Sequence, residues 1–421
     1  MYDKEVQYYN LNLSRNDNHS QLLNLTATNN VSNEKLPNNL ELKNKLQSWV
    51  LKYKVSHNSV NCILNIMKSE GLNVPQDVRT LMQTSKSHEI SSMGSEGTYI
   101  HFWFEKMVLP VLNKFVNAID FTITLKLGVT VTLGINIDGL PLAKSSKSQV
   151  WPILVSIINC KILSNLVFPI GIYHGTKKPP CIQQYLHEFI IDLKSLLDNG
   201  FEINGNILRF EIGHMTNDAP AKSFILNVKG HNAYFGCTTC AQEGSYKERR
   251  VVFLEINSPV RTNESFRNKV NEEYHKGDSP LELLPINIID VVCLDYMHNV
   301  CIGVTKRLVE FWVKGKKNVR LNETSREQIS TDLINLRVYV PNEFSRLPRK
   351  IEDIDYWKAT ELRSFLLYFG PIVLKVCPIL CETQINLAEE LLKQFVISYS
   401  SLYGKHFVSY NVHSLVHLPL R

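Results

Sequence analysis

Hydrophobic positions between residues 41 and 83 recur at the spacing of amphipathic helices. A first helix is predicted over residues 41–53 and a second over Asn58–Lys68, with Ser56 as a capping residue between them. Two short helices joined by a tight turn resemble a helix-turn-helix, in which the start of the second helix reaches base edges. Here these positions are His57, Asn58 and Ser59. A helical hairpin that only packs on a core fits the same pattern.

Further along the chain, the hydrophobic period changes from helical to alternating. One more helix is predicted over Gly97–Ala118, broken near Pro110. Alternation rich in β-branched residues then predicts strands at Thr122–Asp138, Val150–Cys160, Leu166–Tyr173 and Ile207–Gly213. Helices are predicted at Gln183–Leu197 and Pro220–Lys229. Three strands, a helix, a strand and a helix is the order of an RNase H-like fold, so we expect an α/β protein with a mixed sheet.

After Gly244 the pattern is mostly helical, which predicts a large all-α insertion domain. Its clearest helices are predicted at Leu294–Trp312, Glu361–Leu380 and Asn386–Tyr403. The predicted domains are an Asn-rich disordered tail (1–40), an N-terminal helical region (41–118), an RNase H-like core (119–243), the insertion (244–405) and a segment returning to the core (406–421).

Composition narrows the class of protein only moderately. The 421 residues carry a formal net charge of +6, which permits a nucleic-acid partner without establishing one. The N-terminus lacks a signal-peptide layout, and no apolar run approaches the roughly 18 residues that a membrane span needs, so no membrane partner is expected. Nine cysteines without a secretory signal indicate a reducing compartment. A nuclear location is expected, because it fits the function that the motifs imply.

Two aspartates follow predicted strands of the same sheet. Asp138 ends the first strand and Asp218 follows the fourth. These strands are neighbours in an RNase H-like sheet, so both carboxylates can meet and hold Mg²⁺ or Mn²⁺ ions, which prefer oxygen ligands. Each also has an ordinary interpretation, because Asp138-Gly139 is a turn signal and Asp218 before Ala-Pro is a helix N-cap. The metal interpretation also needs a third carboxylate.

Paired cysteines and histidines predict a structural zinc site. Cys237 and Cys240 form a CxxC knuckle, and a tetrahedral zinc ion needs two further ligands. His413 and His417, four residues apart and on one helical face, are the best complement. Buried thiols or a redox pair remain alternatives, and His231 and Cys301 are spare ligands.

Asp295 and His298 open the strongest predicted helix of the insertion. Three residues apart, they share a helical face and could contact DNA, a metal or each other, or simply start the helix with a favourable acidic residue. Lys144, Lys147 and Arg249 could hold phosphates, although a solvated surface is the commoner role of any one basic residue.

Together these motifs resemble a known family. Asn136–Leu142, Gln149–Ile153, Phe168–Gly171, Cys181–Leu197, Asp218–Lys222, His231–Cys240, Leu294–Leu308 and Asn411–Leu418 are similar to transposase-domain proteins. This group includes the CACTA (EnSpm), Chapaev and Transib-like DDE/D transposases, and the similarity covers roughly residues 45–421. The CxxC with the distal HxxxH is its most specific feature.

The resemblance implies an enzyme that nicks and joins DNA. Asp138 and Asp218 would be the first two catalytic aspartates, the Cys₂His₂ set would bind zinc, and Asp295-x-x-His298 would be a motif of the insertion. The family's catalytic Glu lies beyond the HxxxH, whereas this sequence ends at Arg421. We therefore expect a truncated or inactive catalytic core. The alternative is a transposase-derived DNA- or chromatin-binding protein without catalysis; DNA is the partner in both cases, and a homo-oligomer is compatible with either.

Overall fold

The computed structural model describes residues 38–53, 55–83, 89–115, 130–143, 145–161, 163–203, 205–374 and 385–420. The chain forms two compact units, Met1–His88 and Glu89–Arg421. No helix of the described residues is long and apolar enough to cross a membrane. Residues 1–37 of the predicted tail (1–40) and the start of the first predicted strand, up to residue 129, lie outside the described residues. The last three residues of the predicted tail, 38–40, belong to a helix instead.

The first unit contains three helices around a small apolar core. These are α1 (Asn38–Tyr53), α2 (His57–Ser69) and α3 (Val78–Leu81). The Ser56 side chain accepts a hydrogen bond from the backbone N–H of Ser59, as the predicted N-cap should. Leu46, Val60 and Leu64 are among the buried residues that join the helices. The predicted helical hairpin is present here, and α3 completes it.

The second unit is a mixed α/β structure built on one large sheet. Its strands are β1 (Ser91–Met93), β2 (Gly97–His101), β3 (Val131–Ile137), β4 (Leu140–Pro141), β5 (Gln149–Ile157), β6 (Val167–Gly175), β9 (Phe210–Asn217) and β12 (Val292–Leu294). Two short hairpins, β7 (Phe201–Ile203) with β8 (Asn206–Leu208) and β10 (Ser245–Lys247) with β11 (Arg250–Val252), lie outside this sheet.

The order of the sheet is β1-β2-β6-β5-β3-β9-β12, with β4 paired to β5. Strand β5 is antiparallel to both of its neighbours, β3 and β6, whereas β9 is parallel to β3 and β12 is parallel to β9. The predicted adjacency of the first and fourth core strands is therefore present. Since β3, β9 and β12 are parallel, their carboxyl ends lie at the same edge of the sheet.

Helices cover the sheet and extend beyond it. They are α4 (Phe104–Met107), α5 (Leu109–Phe115), α6 (Ile182–Asn199), α7 (Ala219–Ile225), α8 (Asn263–Arg267), α9 (Ile288–Val291), α10 (Lys306–Lys314), α11 (Glu323–Asn335), α12 (Ala359–Ser364), α13 (Gly370–Val373), α14 (Ile385–Tyr403) and α15 (Tyr410–His413). Helix α6 buries Tyr185, Phe189 and Leu193 in the main core, which also holds the inward residues of β3 and β5. Gly200 ends this helix with a positive φ of 71°, as the predicted Asn-Gly stop requires.

Several predicted boundaries were wrong. Gly97–His101 is a strand and not the start of a helix, because it pairs with β6 and lets Tyr99 enter the core. The predicted strand Ile207–Gly213 divides at residue 209, where one half folds back on β7 and the other half begins β9. The predicted helix Leu294–Trp312 begins as strand β12, continues as a π-helix over Met297–Thr305 and only then becomes α10.

Candidate metal centre and adjoining carboxylate edge

Two thiols and two imidazoles converge in the interior of the second unit. The ligand atoms of Cys237, Cys240, His413 and His417 all lie within 4.8 Å of one another, and all four residues are buried. The cysteines and histidines lie more than 170 positions apart in the sequence. The predicted Cys₂His₂ set is therefore assembled in the fold and could hold a metal ion such as zinc.

Three of the distances within this cluster suit a tetrahedral zinc ion. Cys240 Sγ is 3.3 Å from His413 Nε2, Cys237 Sγ is 3.7 Å from His417 Nε2, and the two Nε2 atoms are 3.2 Å apart. Bond lengths of about 2.3 Å to sulfur and about 2.0 Å to nitrogen give tetrahedral edges of roughly 3.3 to 3.6 Å for such pairs. Four protein ligands leave no open position, which is the pattern of a structural site.

Local backbone geometry brings each pair of ligands together. The Cys240 N–H donates to Cys237 Sγ at 3.4 Å, and a Cβ at Gly236 would lie 2.6 Å from the carbonyl oxygen of Gly230, so the knuckle requires glycine there. The histidines do not share one α-helix as predicted. Helix α15 ends at His413 and a 3₁₀ segment, Ser414–Leu420, carries His417.

Burial, partner contacts and a nearby cation shape the electrostatics of the thiols. Burial raises the pKa of Cys237, but contacts with Cys240 and both histidines outweigh it and hold that pKa well below the ordinary value of a thiol. The same contact with Cys237, together with burial, raises the pKa of Cys240. Arg261, itself buried, donates from Nε to the Cys237 carbonyl at 3.2 Å and packs over the Tyr274 ring at 3.7 Å. Its positive charge therefore lies beside the thiol pair.

Three carboxylates follow three neighbouring parallel strands in the same register. Asn136 of β3 and residue 293 of β12 both pair with Thr216 of β9. Two positions beyond this row lie Asp138, Asp218 and Asp295. The Asp295 N–H donates to the Asn217 carbonyl at 2.8 Å, which continues the ladder to this level. Neighbouring strands are about 4.8 Å apart, so the edge carries a row of acidic residues.

The third aspartate of this row was missed as a carboxylate partner of the other two. Asp295 was predicted to open an insertion helix, because the helical pattern that follows it masks the three-residue strand before it. The signal that could have revealed it is the short run Val291-Val292-Cys293-Leu294 ending in an acidic residue, the same arrangement that precedes Asp138.

Each carboxylate of the row also makes a local contact. Asp138 Oδ1 accepts from the Gly139 N–H at 2.7 Å, and Asp218 Oδ1 accepts from the Ala221 N–H at 2.6 Å as the N-cap of α7. Asp295 Oδ2 lies 2.6 Å from His298 Nδ1. The ordinary interpretation of Asp218 as a cap is therefore confirmed, and Asp295 and His298 do contact each other.

Negative charges along the row act on Asp138. Partial burial, and then the charge of Asp218, raise the pKa of the Asp138 carboxyl above its ordinary value, with a smaller contribution from Asp295. Partial burial also lowers the pKa of His231, which faces the charge of Asp218. The edge is thus an electronegative position at which a cation would be favoured.

A cleft of about 200 Å³ adjoins this edge. Its lining includes Asp218, His231, Asp295, His298 and Asn411. The last of these belongs to α15, the helix that also carries a ligand of the Cys/His cluster. The cleft and the cluster therefore share a structural element.

The remaining candidate residues lie elsewhere. His57, Asn58 and Ser59 are exposed at the start of α2 in the first unit. Lys147 and Arg249 are exposed in the second unit, and Lys144 lies outside the described residues. The spare ligand Cys301 is buried in a separate apolar cluster of the helical region and does not join the thiols.

No protein-family model and no curated protein matches the chain.

Proposed function

We propose that this protein is a transposase-like enzyme that cleaves and joins DNA strands at the carboxylate edge of its sheet. The observation that carries the proposal is the common register of Asp138, Asp218 and Asp295 beyond β3, β9 and β12. The strand order and directions support an RNase H-like core, and the helices after β12 support an insertion domain. DNA as partner and the nucleus as location follow from the same proposal.

The donor set at this edge suits Mg²⁺ or Mn²⁺, because the row supplies hard carboxylate oxygens. A bound divalent ion would activate a water or a DNA 3′-hydroxyl and stabilise the leaving oxygen. Asp138 and Asp218 would hold the ion, and Asp295 would supply the third carboxylate that the sequence motifs alone lacked. With this third carboxylate, we propose an active site in place of the incomplete core that the resemblance implies. The positive charge of the ion would also offset the charge of Asp218, which adds to the effect of burial in raising the pKa of Asp138.

His298 lines the cleft and would assist the carboxylates there. Its Nδ1 is engaged by Asp295, which fixes the ring and leaves Nε2 on the opposite side of the imidazole. Buried Asn299 lines the same cleft, and its Nδ2 has no hydrogen-bond partner among the described residues. A phosphate or an ordered water would satisfy that donor.

Zinc at the Cys/His cluster would be structural in this proposal. It would fix α15 and the following 3₁₀ segment to the knuckle, and so position the wall of the cleft. The proposed helix-turn-helix residues His57, Asn58 and Ser59 would add DNA contacts from the first unit.

Nicking of supercoiled plasmid DNA with Mg²⁺ or Mn²⁺ tests this function. We expect activity in the purified protein and its loss in Asp138→Asn and Asp295→Asn, with a smaller decrease in His298→Gln. Asp198→Asn, which removes an exposed carboxylate far along α6, is the matched control and should retain activity. Nicking that persists undiminished in Asp138→Asn would refute the assignment.

A second function is supported by the state of the carboxylates. Among the described residues, just the Cys/His cluster brings three potential ligand atoms within 4.8 Å of one another. The aspartates are each held by local contacts instead. This observation favours a transposase-derived DNA- or chromatin-binding protein without catalysis. Tight DNA binding with no nicking under either metal would select it.

A further inference from the structure

A charged hairpin projects from the second unit just after the CxxC knuckle. Strands β10 and β11 pair Lys247 with Arg250, which leaves Glu248 and Arg249 as a two-residue turn. Both turn residues have positive φ, 45° and 64°. Such a turn is the type that favours Asn-Gly, because side chains with a Cβ are strained in the left-handed region.

The strained tip therefore carries two charged residues where uncharged residues would fit more easily. Lys247, Arg249 and Arg250 place three basic side chains within four positions, and Tyr246 beside them is 62% exposed. Strain of this kind persists where the side chain has a task that the better-fitting residue cannot perform. The tip is a candidate contact surface on this ground.

Neighbouring elements add further positive charge to the same face. Arg250 lies 5.2 Å from the centre of the Phe407 ring, and Arg307 of α10 lies 5.8 Å from it. Lys405 is exposed two residues before Phe407, in the same short 3₁₀ segment. We call the five residues Lys247, Arg249, Arg250, Arg307 and Lys405 the basic face.

Acidic residues offset this charge only in part. Glu248 pairs with His406 at 3.2 Å, and Glu310 pairs with Arg307 at 3.2 Å. The Phe407 ring contacts both guanidinium groups and restrains them, so less side-chain entropy is lost when they bind a partner.

The basic face is anchored to the Cys/His cluster. Phe253, just after β11, donates from its N–H to the Val408 carbonyl at 3.1 Å, and its ring stacks on His413 at 5.5 Å. The hairpin is thus attached at its base to a metal ligand and not to a mobile loop.

We propose that the basic face binds the phosphate backbone of double-stranded DNA. It deepens the proposed function, since it assigns the surface on which the DNA lies. A rigid base, restrained guanidinium groups and an exposed aromatic residue suit a regular polyanion, whose phosphates are contacted without regard to sequence.

Opposite substitutions in the strained turn test this assignment. Glu248→Asn and Arg249→Gly both relieve the backbone strain, so neither should lower the melting temperature. Their effects on DNA binding should have opposite signs. Arg249→Gly should weaken binding on the order of fivefold at low salt and reduce the slope of log K against log salt by about 1, whereas Glu248→Asn should strengthen binding.

Binding is measured by fluorescence anisotropy of a short labelled DNA duplex with the full zinc-loaded chain, without Mg²⁺ or Mn²⁺. Lys161→Gln, an exposed basic residue elsewhere, is the control and should bind like the parent protein. Equal effects of the two turn substitutions would overturn the proposal, because a purely structural turn responds to both alike.

Competition with poly-glutamate separates DNA from an acidic protein partner. If poly-glutamate displaces the duplex at equal charge concentration, the surface recognises acidic chains in general and the DNA assignment is wrong. Because this assay contains no divalent ion for catalysis, a failure of nicking does not affect it. Conversely, if the parent protein nicks DNA but Arg249→Gly binds the duplex as tightly as the parent, the basic-face proposal is wrong and the proposed function stands.

Discussion

The Cys/His cluster and the carboxylate edge are two candidate metal centres of different design. The cluster is buried, and its ligand atoms all lie within 4.8 Å of one another. The edge has its backbone in register, but its carboxylates hold local N–H groups or His298. A closed site of soft ligands serves to stabilise the fold, whereas an edge open to a cleft leaves positions for water and substrate.

The difference has an electrostatic basis. In the cluster, contacts with Cys240 and both histidines hold the pKa of Cys237 well below its ordinary value despite burial, and the buried Arg261 cation lies beside the thiols. At the edge, partial burial and then the negative charge of Asp218 raise the pKa of Asp138. The cluster therefore stabilises negative charge with imidazoles and a guanidinium group, whereas the edge stabilises it with local N–H donors and His298.

Loss of zinc should give the largest effect. Cys237→Ser and His417→Ala should each lower the bound zinc from one ion per chain to near zero, because a tetrahedral structural site needs all four ligands. Structural zinc contributes folding free energy directly, so both variants should melt at a much lower temperature or fail to fold.

Metal analysis of the purified chain measures this directly. Cys62→Ser removes an exposed thiol in the first unit and should leave both zinc content and melting temperature unchanged. Unaltered zinc in both ligand variants would disprove the cluster as a zinc site, and full stability without zinc would disprove its structural role.

Asp218 permits a test that separates charge from capping. Both Asp218→Asn and Asp218→Ala should abolish metal-dependent nicking, since the carboxylate is lost. Only Asp218→Ala should lower the free energy of unfolding, by about 1 kcal/mol, because Asn can still accept the Ala221 N–H as an N-cap.

Nicking assays and urea denaturation of the two variants provide the two readouts. An Asn variant that retains wild-type nicking would leave Asp218 with its capping role alone. An Ala variant as stable as the parent would show that the cap contributes little here.

The contrast also explains what the sequence could and could not predict. CxxC and HxxxH are local spacings that each supply two side chains, so all four members of the Cys/His cluster could be predicted from the sequence. Asp138 and Asp218 were found because alternating strands and a helix between them indicated neighbours in one sheet. Asp295 was not grouped with them, because a three-residue strand is too short for its alternating pattern to be recognised. Pairing with β9 is a tertiary effect that a local pattern does not contain.

Gly303 links the two centres through α15. A Cβ at this position would lie 2.5 Å from Asn411 Nδ2, on the wall of the cleft, and 2.8 Å from the carbonyl oxygen of His298. Gly303→Ala should therefore displace the Asn411 side chain and lower nicking, while the Cys/His cluster keeps its zinc. The cost in stability should be about 1–3 kcal/mol, as for other overpacked sites.

Gly230→Ala is the matched control, because a Cβ there meets nothing within 4 Å. Zinc content, nicking and unfolding free energy are compared for both variants. Loss of zinc from Gly303→Ala would mean that the strain reaches the cluster, and normal nicking would mean that Asn411 does not shape the site.

The smallest effect concerns the repulsion at the edge. Because burial and Asp218 raise the pKa of Asp138 in the folded state, the folded protein binds its proton more tightly than the unfolded chain does. The ionised carboxylate therefore costs stability above its folded pKa, and this cost disappears as the pH falls toward the ordinary value of 3.8. Asp138→Asn should melt slightly higher than the parent near pH 7 without Mg²⁺.

The increment in melting temperature should shrink steadily as the pH is lowered. Addition of Mg²⁺ should reverse the order, because a cation held by the carboxylates stabilises only the parent. Thermal denaturation of both proteins across pH, with and without Mg²⁺, measures this crossing. A parent protein that is the more stable of the two near neutral pH without Mg²⁺ would mean that the Gly139 N–H outweighs the repulsion, and that the edge needs no cation to balance its charge.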